Sequence, residues 1–325
     1  MKKLKTVVIC PPDAYFLPVL DAIRDQAEIV VSETRKELEG PAAEADVILV
    51  AWVKDKAILR DLWPKVGKVR WVHSLSAGVE HLLFPELIES PVPVTNARGV
   101  FKRPLAEFAA LGALYFSRRV RPMIESQRRA EWTSLRTEVV EGRTMGIVGY
   151  GEIGRECALL AKGLGMRIIA LRRRPGLAAQ DPLIDKAYGP AELKSLLGES
   201  DVAVLAAPAT AETYHLIGEA ELRAMKPSAI LVNVGRGNLV DEPQLVRALE
   251  EGWIAGAALD VFETEPLPKD SPLWGMENVL ISPHCADRTI NPDWLEMAMQ
   301  RFVDNFRLFA EGKALEHVID KRAGY

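Results

Sequence analysis

No stretch of this sequence approaches the ~20 consecutive apolar residues that a helical membrane span needs, so a membrane-spanning reading is excluded and no membrane partner is expected. Cysteine is scarce. Cys10, Cys157 and Cys285 are odd in number and lack metal-ligand spacing, which argues against a disulfide framework and against a bound metal, and fits reduced thiols in a cytoplasmic protein. Cys10 and Cys157 lie in apolar patterns and are core candidates. A strong charge bias is also missing. The formal net charge is −4, so no global basic field draws in nucleic acid or an anionic membrane. MKKLKTVVIC begins like a signal peptide, but its apolar run stops at Pro11-Pro12-Asp13 and no small-residue cleavage site follows. Internal repeats and low-complexity segments are absent. What remains, with 48% hydrophobic and 26% charged residues over 325 positions, is an ordinary globular composition long enough for about two domains of ~100–200 residues each.

Short apolar runs alternate with helical patterns along the first hundred residues. Strands are expected at 5–10, 28–31, 46–51, 69–73 and 92–95. Helical spacing is expected at 16–27 (Phe16, Leu17, Leu20, Ile23), near 55–63 and, as helix or turn, at 79–88. Such alternation predicts a parallel sheet covered by helices. Residues 102–118 are apolar nearly all round, which predicts a buried helix lying between domains or subunits. An arginine-rich polar stretch follows, with Trp132 as a candidate interface anchor. A second α/β region has strands at 144–148, 167–171, 201–206, 229–233, 255–259 and 278–281, with helices near 190–197, 218–225 and 242–251. The amphipathic segment 292–311 closes the pattern and is long enough to return to the first domain.

The strongest local signal is TMGIVGYGEIG, residues 144–154. An apolar strand enters Gly149, Gly151 and Gly154, and a helical pattern leaves them, the context in which G-x-G-x-x-G carries weight as a dinucleotide cradle. Gly149 suits the tight turn, Gly151 lets backbone approach a pyrophosphate, and Gly154 lets helix pack on strand. Tyr150, Glu152 and Ile153 complete the loop and helix start, where free N–H groups favour phosphate. After the second strand such folds place a carboxylate that bonds the ribose 2′-hydroxyl. Here the strand RIIAL ends in Arg172-Arg173-Arg174, and guanidinium forks suit a 2′-phosphate. The expected cofactor is therefore NADP, with NAD as the weaker alternative.

Further along stand APATAET (207–213), VNVGRG (232–237), LDVFETEPL (259–267) and SPHCADRT (282–289). In this order after a G-x-G-x-x-G, they resemble the D-isomer-specific 2-hydroxyacid dehydrogenase family, closest in type to its NADP-linked glyoxylate/hydroxypyruvate reductases. The resemblance covers nearly the whole chain. It implies a Rossmann-type doubly wound parallel sheet (102–287) inserted into a smaller flavodoxin-like α/β substrate domain (1–101 and 288–325). It also implies a catalytic Arg236, Glu265 and His284. The residue types suit reduction of a 2-keto acid. A histidine can protonate the carbonyl oxygen, a paired carboxylate favours its charged form, and an arginine binds substrate and polarises the carbonyl. Glu263 is set aside because the family's spacing from Asp260 selects Glu265.

By the same resemblance Ala207, Pro208, Thr213, Val234, Gly235 and Asp260 flank the cofactor. Ser76, Ala77 and Gly78 offer backbone N–H groups to the substrate carboxylate, with Trp52 and Val53 beside them. His73 reads as a structural strand histidine. The segment 98–105 departs from the family pattern, so Lys102 and Arg103 become candidates for substrate or cofactor contact. The implied partners are a small 2-keto or 2-hydroxy acid and a second copy of the chain, as a homodimer. The alternatives are an NAD-linked member such as a phosphoglycerate dehydrogenase-like enzyme, or a non-enzymatic nucleotide-sensing protein of the same fold.

Overall fold

The structure is a computed structural model and describes residues 3–51 and 53–324. Trp52, expected beside the substrate, lies outside the described residues. The chain folds as two compact units: one runs to Phe101 and resumes at Thr289, and the other is Lys102–Arg288.

The first unit holds β1 (Leu4–Ile9), β2 (Ala27–Ser32), β3 (Val47–Val50), β4 (Trp71–Ser74) and β5 (Val94–Asn96). They form one parallel sheet in the order β2-β1-β3-β4-β5, the flavodoxin-like order. Val7, Ile9, Ile48, Val50, Val72 and Val94 pack in one apolar cluster under this sheet, and Val53 packs against it. The amphipathic carboxyl-terminal pattern becomes the helix Trp294–Ala310. Asp293 caps it, accepting from the N–H groups of Leu295 and Glu296 at 3.0 Å each. Phe302 on this helix stacks on Trp71 of β4, centroids 5.2 Å apart. His73 is fully buried, with Nδ1 2.6 Å from the Thr95 hydroxyl. Burial pushes its pKa down to about 3, so it is a neutral structural histidine.

One local expectation changes here, and one helix appears that the apolar pattern does not predict. The span 16–27 holds only a 3-10 turn, Leu17–Ile23, opened by Pro18. Four residues past its end the chain has already entered β2, too few for a longer helix. The helix Arg35–Glu44 carries no clear apolar period, buries only Leu38 and Ala42, and contains Pro41.

The second unit holds β6 (Thr144–Val148), β7 (Arg167–Leu171), β8 (Lys186–Tyr188), β9 (Val202–Leu205), β10 (Ile230–Asn233), β11 (Gly256–Leu259) and β12 (Val279–Ile281). All pairings are parallel and the order is β12-β11-β10-β9-β6-β7-β8, a doubly wound Rossmann-type sheet. The edge strand β8 is three residues long and too short to show in the apolar pattern. The helix Lys102–Ser117 belongs to this unit. It docks flush because two glycines leave room. A Cβ on Gly112 would lie 2.9 Å from the Ala258 Cβ, and one on Gly256 would lie 2.6 Å from the Phe116 ring and 2.7 Å from the Asn278 carbonyl. The helix is not buried all round, since Leu111 is 50% exposed. Lys102 and Arg103 both pair with Glu156, at 3.6 and 3.5 Å, and Arg103 also holds Glu107 at 2.7 Å. These ion pairs occupy the two cations within the unit.

The Gly256→Ala variant should lose about 1–3 kcal/mol, the usual cost of overpacking, because one of the atoms in the way is backbone and cannot rotate aside. A lower urea midpoint would show this; an unchanged midpoint would contradict the docking just described.

Candidate active site

Parallel strands deliver their carboxyl ends to one edge of the sheet, and ligands of such sheets bind where the strand order reverses. In the second unit that point lies between β6 and β9. Gly149 follows β6 at φ +94°, and a Cβ there would sit 2.5 Å from the Ala207 nitrogen just past β9. Only glycine satisfies both the left-handed backbone and the close approach. The N–H groups of Gly149 and Tyr150 both donate to the Leu171 carbonyl at 3.1 Å, tying the turn to the end of β7. Gly151 differs in kind: a Cβ there would meet nothing within 4 Å, so the space over it is open. A Cβ on Gly154 would strike the Gly149 carbonyl at 2.8 Å and Ile147 at 2.9 Å, which fixes how closely the helix Glu152–Gly163 lies on β6.

The first bond into that helix runs from the Arg155 N–H to the Gly151 carbonyl at 2.9 Å. The N–H groups of Glu152, Ile153 and Gly154 therefore precede the helical ladder and point from its positive end. The Tyr150 ring is buried and its hydroxyl donates to Asp181 at 3.0 Å, while Arg155 donates to the same oxygen at 2.7 Å. Burial, then this bond, raises the Tyr150 pKa. Its side chain thus braces the loop from beneath. Past β7, the Arg172 N–H still pairs with the Tyr188 carbonyl at 3.1 Å. The Arg172 side chain is half-buried, and Arg173 and Arg174 are exposed.

After β9, Ala207 is buried and Thr213 closes a turn on itself. Its hydroxyl donates to the Pro208 carbonyl at 2.7 Å and accepts from the Thr210 N–H at 2.8 Å. After β10, the Val234 N–H bonds the Leu205 carbonyl at 3.1 Å. Asn233 holds both ends of the next turn, accepting from the Gly235 N–H at 3.1 Å and donating to the Arg236 carbonyl at 2.9 Å. A Cβ on Gly235 would lie 2.9 Å from the Ala207 carbonyl, and one on Gly237 only 1.8 Å from the Phe262 carbonyl group. The loop carrying Arg236 therefore lies flat on the peptide between Phe262 and Glu263.

After β11 comes Asp260, 1% exposed. One of its carboxylate oxygens accepts from the Ser282 hydroxyl at 2.6 Å, the Cys285 N–H at 3.0 Å and the Ala286 N–H at 2.9 Å. Its carbonyl accepts from the His284 N–H at 2.8 Å. His284, just past β12, is held at φ +50°, a conformation that costs a residue with a Cβ roughly 1–2 kcal/mol. The Asp260 bonds offset that cost and aim the imidazole. His284 Nδ1 lies 2.6 Å from one Glu265 oxygen, and the other Glu265 oxygen accepts from the Phe262 N–H at 3.0 Å. The Glu265 hydrogen bond raises the His284 pKa; burial and the Arg236 charge oppose, and the charges of Glu265 and Asp260 add to the rise. Burial pushes Glu265 up, but the bonds from His284 and the Phe262 N–H outweigh it, so its pKa is lowered. Arg236, whose guanidinium also donates to the Gly235 carbonyl at 2.8 Å, adds to that lowering.

A model of the D-isomer specific 2-hydroxyacid dehydrogenase NAD-binding domain matches residues 111–286. The chain belongs to the D-isomer specific 2-hydroxyacid dehydrogenase family. Among its relatives, a glyoxylate reductase of Aeropyrum pernix is 39% identical over 272 residues, covering 80% of this chain and 79% of that one. A family member from Xanthobacter autotrophicus, solved with NADPH and MES, superposes with a TM-score of 0.86 at 28% identity, all of each chain being covered. An NADPH-dependent glyoxylate/hydroxypyruvate reductase from Sinorhizobium meliloti, solved with NADP and sulfate, superposes with a TM-score of 0.84 at 25% identity, covering 98% of this chain and 99% of that one.

In this dehydrogenase-family chain the second unit gathers Arg236, Glu265, His284 and Asp260 on three neighbouring loops. Ser76, Ala77 and Gly78 stand in the first unit, in the loop after β4. The Ser76 N–H donates to the Ser74 hydroxyl at 3.2 Å, and the Ala77 carbonyl accepts from the Asn96 amide at 2.5 Å. All three are half-buried. The structural role of Asp260 was hidden in the sequence, because its partners lie more than twenty residues away. Another such link joins His215 to the set-aside Glu263. For a dinucleotide, the open space over Gly151 and the N–H groups at the start of Glu152–Gly163 fit a pyrophosphate.

Proposed function

We propose that this chain is an NADP(H)-dependent 2-keto acid reductase acting on glyoxylate or hydroxypyruvate. The observation that carries the reading is the 2.6 Å contact between His284 Nδ1 and Glu265, on a histidine whose pKa is raised. With Nδ1 committed to the carboxylate, Nε2 is the nitrogen that faces a substrate and holds the transferable proton. Arg236 binds the substrate carboxylate and draws charge toward the carbonyl oxygen as it becomes an alkoxide. His284 then gives its Nε2 proton to that oxygen, and Glu265 stabilises the imidazolium before the transfer. The backbone N–H groups of Ala77 and Gly78 would serve the substrate carboxylate, that of Ser76 being given to the Ser74 hydroxyl. A reduced nicotinamide, when bound, supplies the hydride. Gly149, Gly151 and Gly154, with the N–H groups of Glu152 and Ile153, would hold its pyrophosphate, and Ala207, Pro208, Thr213, Val234, Gly235 and Asp260 would border it. Glyoxylate reductase is the name carried by several relatives, those of Aeropyrum pernix, Korarchaeum cryptofilum and Thermococcus gammatolerans among them.

Arginines in place of a carboxylate after β7 support NADP over NAD. Comparing kcat/KM for NADPH and NADH tests this. NADPH should be preferred by about tenfold or more, and Arg172→Asp should remove most of that preference, since a guanidinium–phosphate pair is a strong, charge-assisted contact. A preference for NADH in the unaltered protein would make it an NAD-linked member instead.

The raised His284 pKa fixes the sign of the pH dependence. Reduction needs the protonated imidazole, so activity should persist above the ordinary histidine value of about 6.5 and fall at higher pH. Replacing Glu265 with Gln removes the paired charge. The alkaline fall should then move to lower pH, with kcat lower by about a hundredfold or more. An unmoved pH limb would remove Glu265 from this role.

A homodimer built on the second unit is part of the same reading. Leu111, Met123, Ile124, Val139 and the fully exposed Trp132 present apolar surface along 102–139, the kind of patch that covers itself in a partner. Sedimentation velocity at micromolar concentration should give a dimer that Trp132→Ala weakens, and a monomer would count against it.

A further inference from the structure

A second histidine–carboxylate pair stands beside the candidate catalytic one, on the same stretch of chain. His215 Nε2 lies 2.8 Å from a Glu263 oxygen. Glu263 is two residues from Glu265, and its neighbour Phe262 gives Glu265 its N–H. The Glu263 backbone is held as well, its N–H donating to Glu242 at 3.2 Å, while Gly237 presses on the Phe262–Glu263 peptide from the Arg236 loop. His215 is itself anchored. Its N–H donates to the Asn238 carbonyl at 2.8 Å, its ring stacks on Tyr214 with centroids 4.0 Å apart, and its Nδ1 lies 3.9 Å from Asp241. Like His284, it sits at a left-handed backbone angle, φ +49°. A residue with a Cβ occupies that region only when its surroundings over-determine it.

We propose that His215 and Glu263 are positioning residues: their bond ties the Phe262–Glu265 turn to the Thr210–His215 turn and so fixes the Glu265 carboxylate against His284. Charge explains why an imidazole is needed there. Glu263, Glu242 and Asp241 crowd one corner, and burial, with the Glu263 charge adding, raises the Glu242 pKa. A donor between Glu263 and Asp241 offsets that repulsion. Without it, Glu263 is repelled from Glu242, the peptide leaves Gly237, and the Phe262 N–H that orients Glu265 moves with it. Both side chains are only 29% exposed, so the bond is partly shielded from solvent competition.

This inference rests on the reductase reading, so the test separates the two. Full-length His215→Ala, Glu263→Ala, the double variant and His215→Gln, whose amide keeps a donor near the place of Nε2, are compared with the unaltered protein. Glyoxylate and NADPH kinetics are measured across pH, and NADPH affinity by fluorescence. Each alanine variant should lower kcat about tenfold while NADPH affinity stays within about twofold. The alkaline limb should move to lower pH, as His284, which faces Glu265, Asp260, Arg236 and Asp287, loses its best-placed partner. The double variant should be no worse than the singles, the mark of a shared interaction, and His215→Gln should restore most of kcat and the limb. Unchanged kcat and pH limb in the alanine variants would overturn the proposal, as would a loss of NADPH affinity with the limb unmoved. If the unaltered protein reduces no 2-keto acid, the reductase reading fails. The proposal is then decided by the His284 imidazole titration, which should shift down in both alanine variants and would contradict it by staying put.

Discussion

One buried carboxylate organises the candidate site. Asp260 follows β11 and gathers a hydroxyl and two backbone N–H groups onto a single oxygen, and all three donors belong to the loop after β12. A carboxylate this far from water is tolerable only when it is so satisfied. The converse matters more for function. The loop from Ser282 to Ala286 takes its shape from that oxygen, and within it His284 sits in a backbone region it would otherwise avoid. Stability of a buried charge and aim of an imidazole are thus one set of hydrogen bonds.

The remaining geometry follows from close approach between loops. Gly149 lets the turn after β6 touch the chain after β9, Gly235 lets the Arg236 loop touch it too, and Gly237 lets that loop lie on the Phe262–Glu263 peptide. At Gly235 and Gly237 a Cβ would force the chains apart, and at Gly149 the backbone angle would also be strained. Arg236, Glu265 and His284 come from three loops at the carboxyl ends of β10, β11 and β12, and those loops share atoms' worth of clearance. Small movements in one are therefore felt in the others, which is how the proposed His215–Glu263 clamp would act on the pair at Glu265 and His284.

Much of this was legible in the sequence, and the reasons are specific. Strand positions emerged because buried parallel strands are continuous apolar runs, and G-x-G-x-x-G was readable because strand and helix patterns flank it. The turn Leu17–Ile23 resembles a helix in the sequence because Leu17, Leu20 and Ile23 keep helical spacing, while the early return of the chain to β2 is a tertiary fact. β8 was missed because three residues at a sheet edge carry no period. The pairing of Lys102 and Arg103 with Glu156 does not show in the sequence, because that partner lies more than fifty residues along the chain. Separation along the chain also hides the bonds of Asp260, more than twenty residues from its partners, and the meeting of His215 with Glu263. Residue type and local spacing suggest which groups do chemistry; the bonds that aim them are long-range.

The frame built on Asp260 holds His284 against Glu265 and so favours its protonated form. With only five histidines in the chain, and with His73 buried and neutral, the His284 imidazole can be followed by nitrogen-resolved NMR titration in the unaltered protein and in Asp260→Ala. The expected result is a His284 pKa above the ordinary value of about 6.5 in the first. In the second the pKa should fall clearly, because both the Asp260 charge and the loop geometry are lost. Equal pKa values in the two proteins would contradict this role of Asp260.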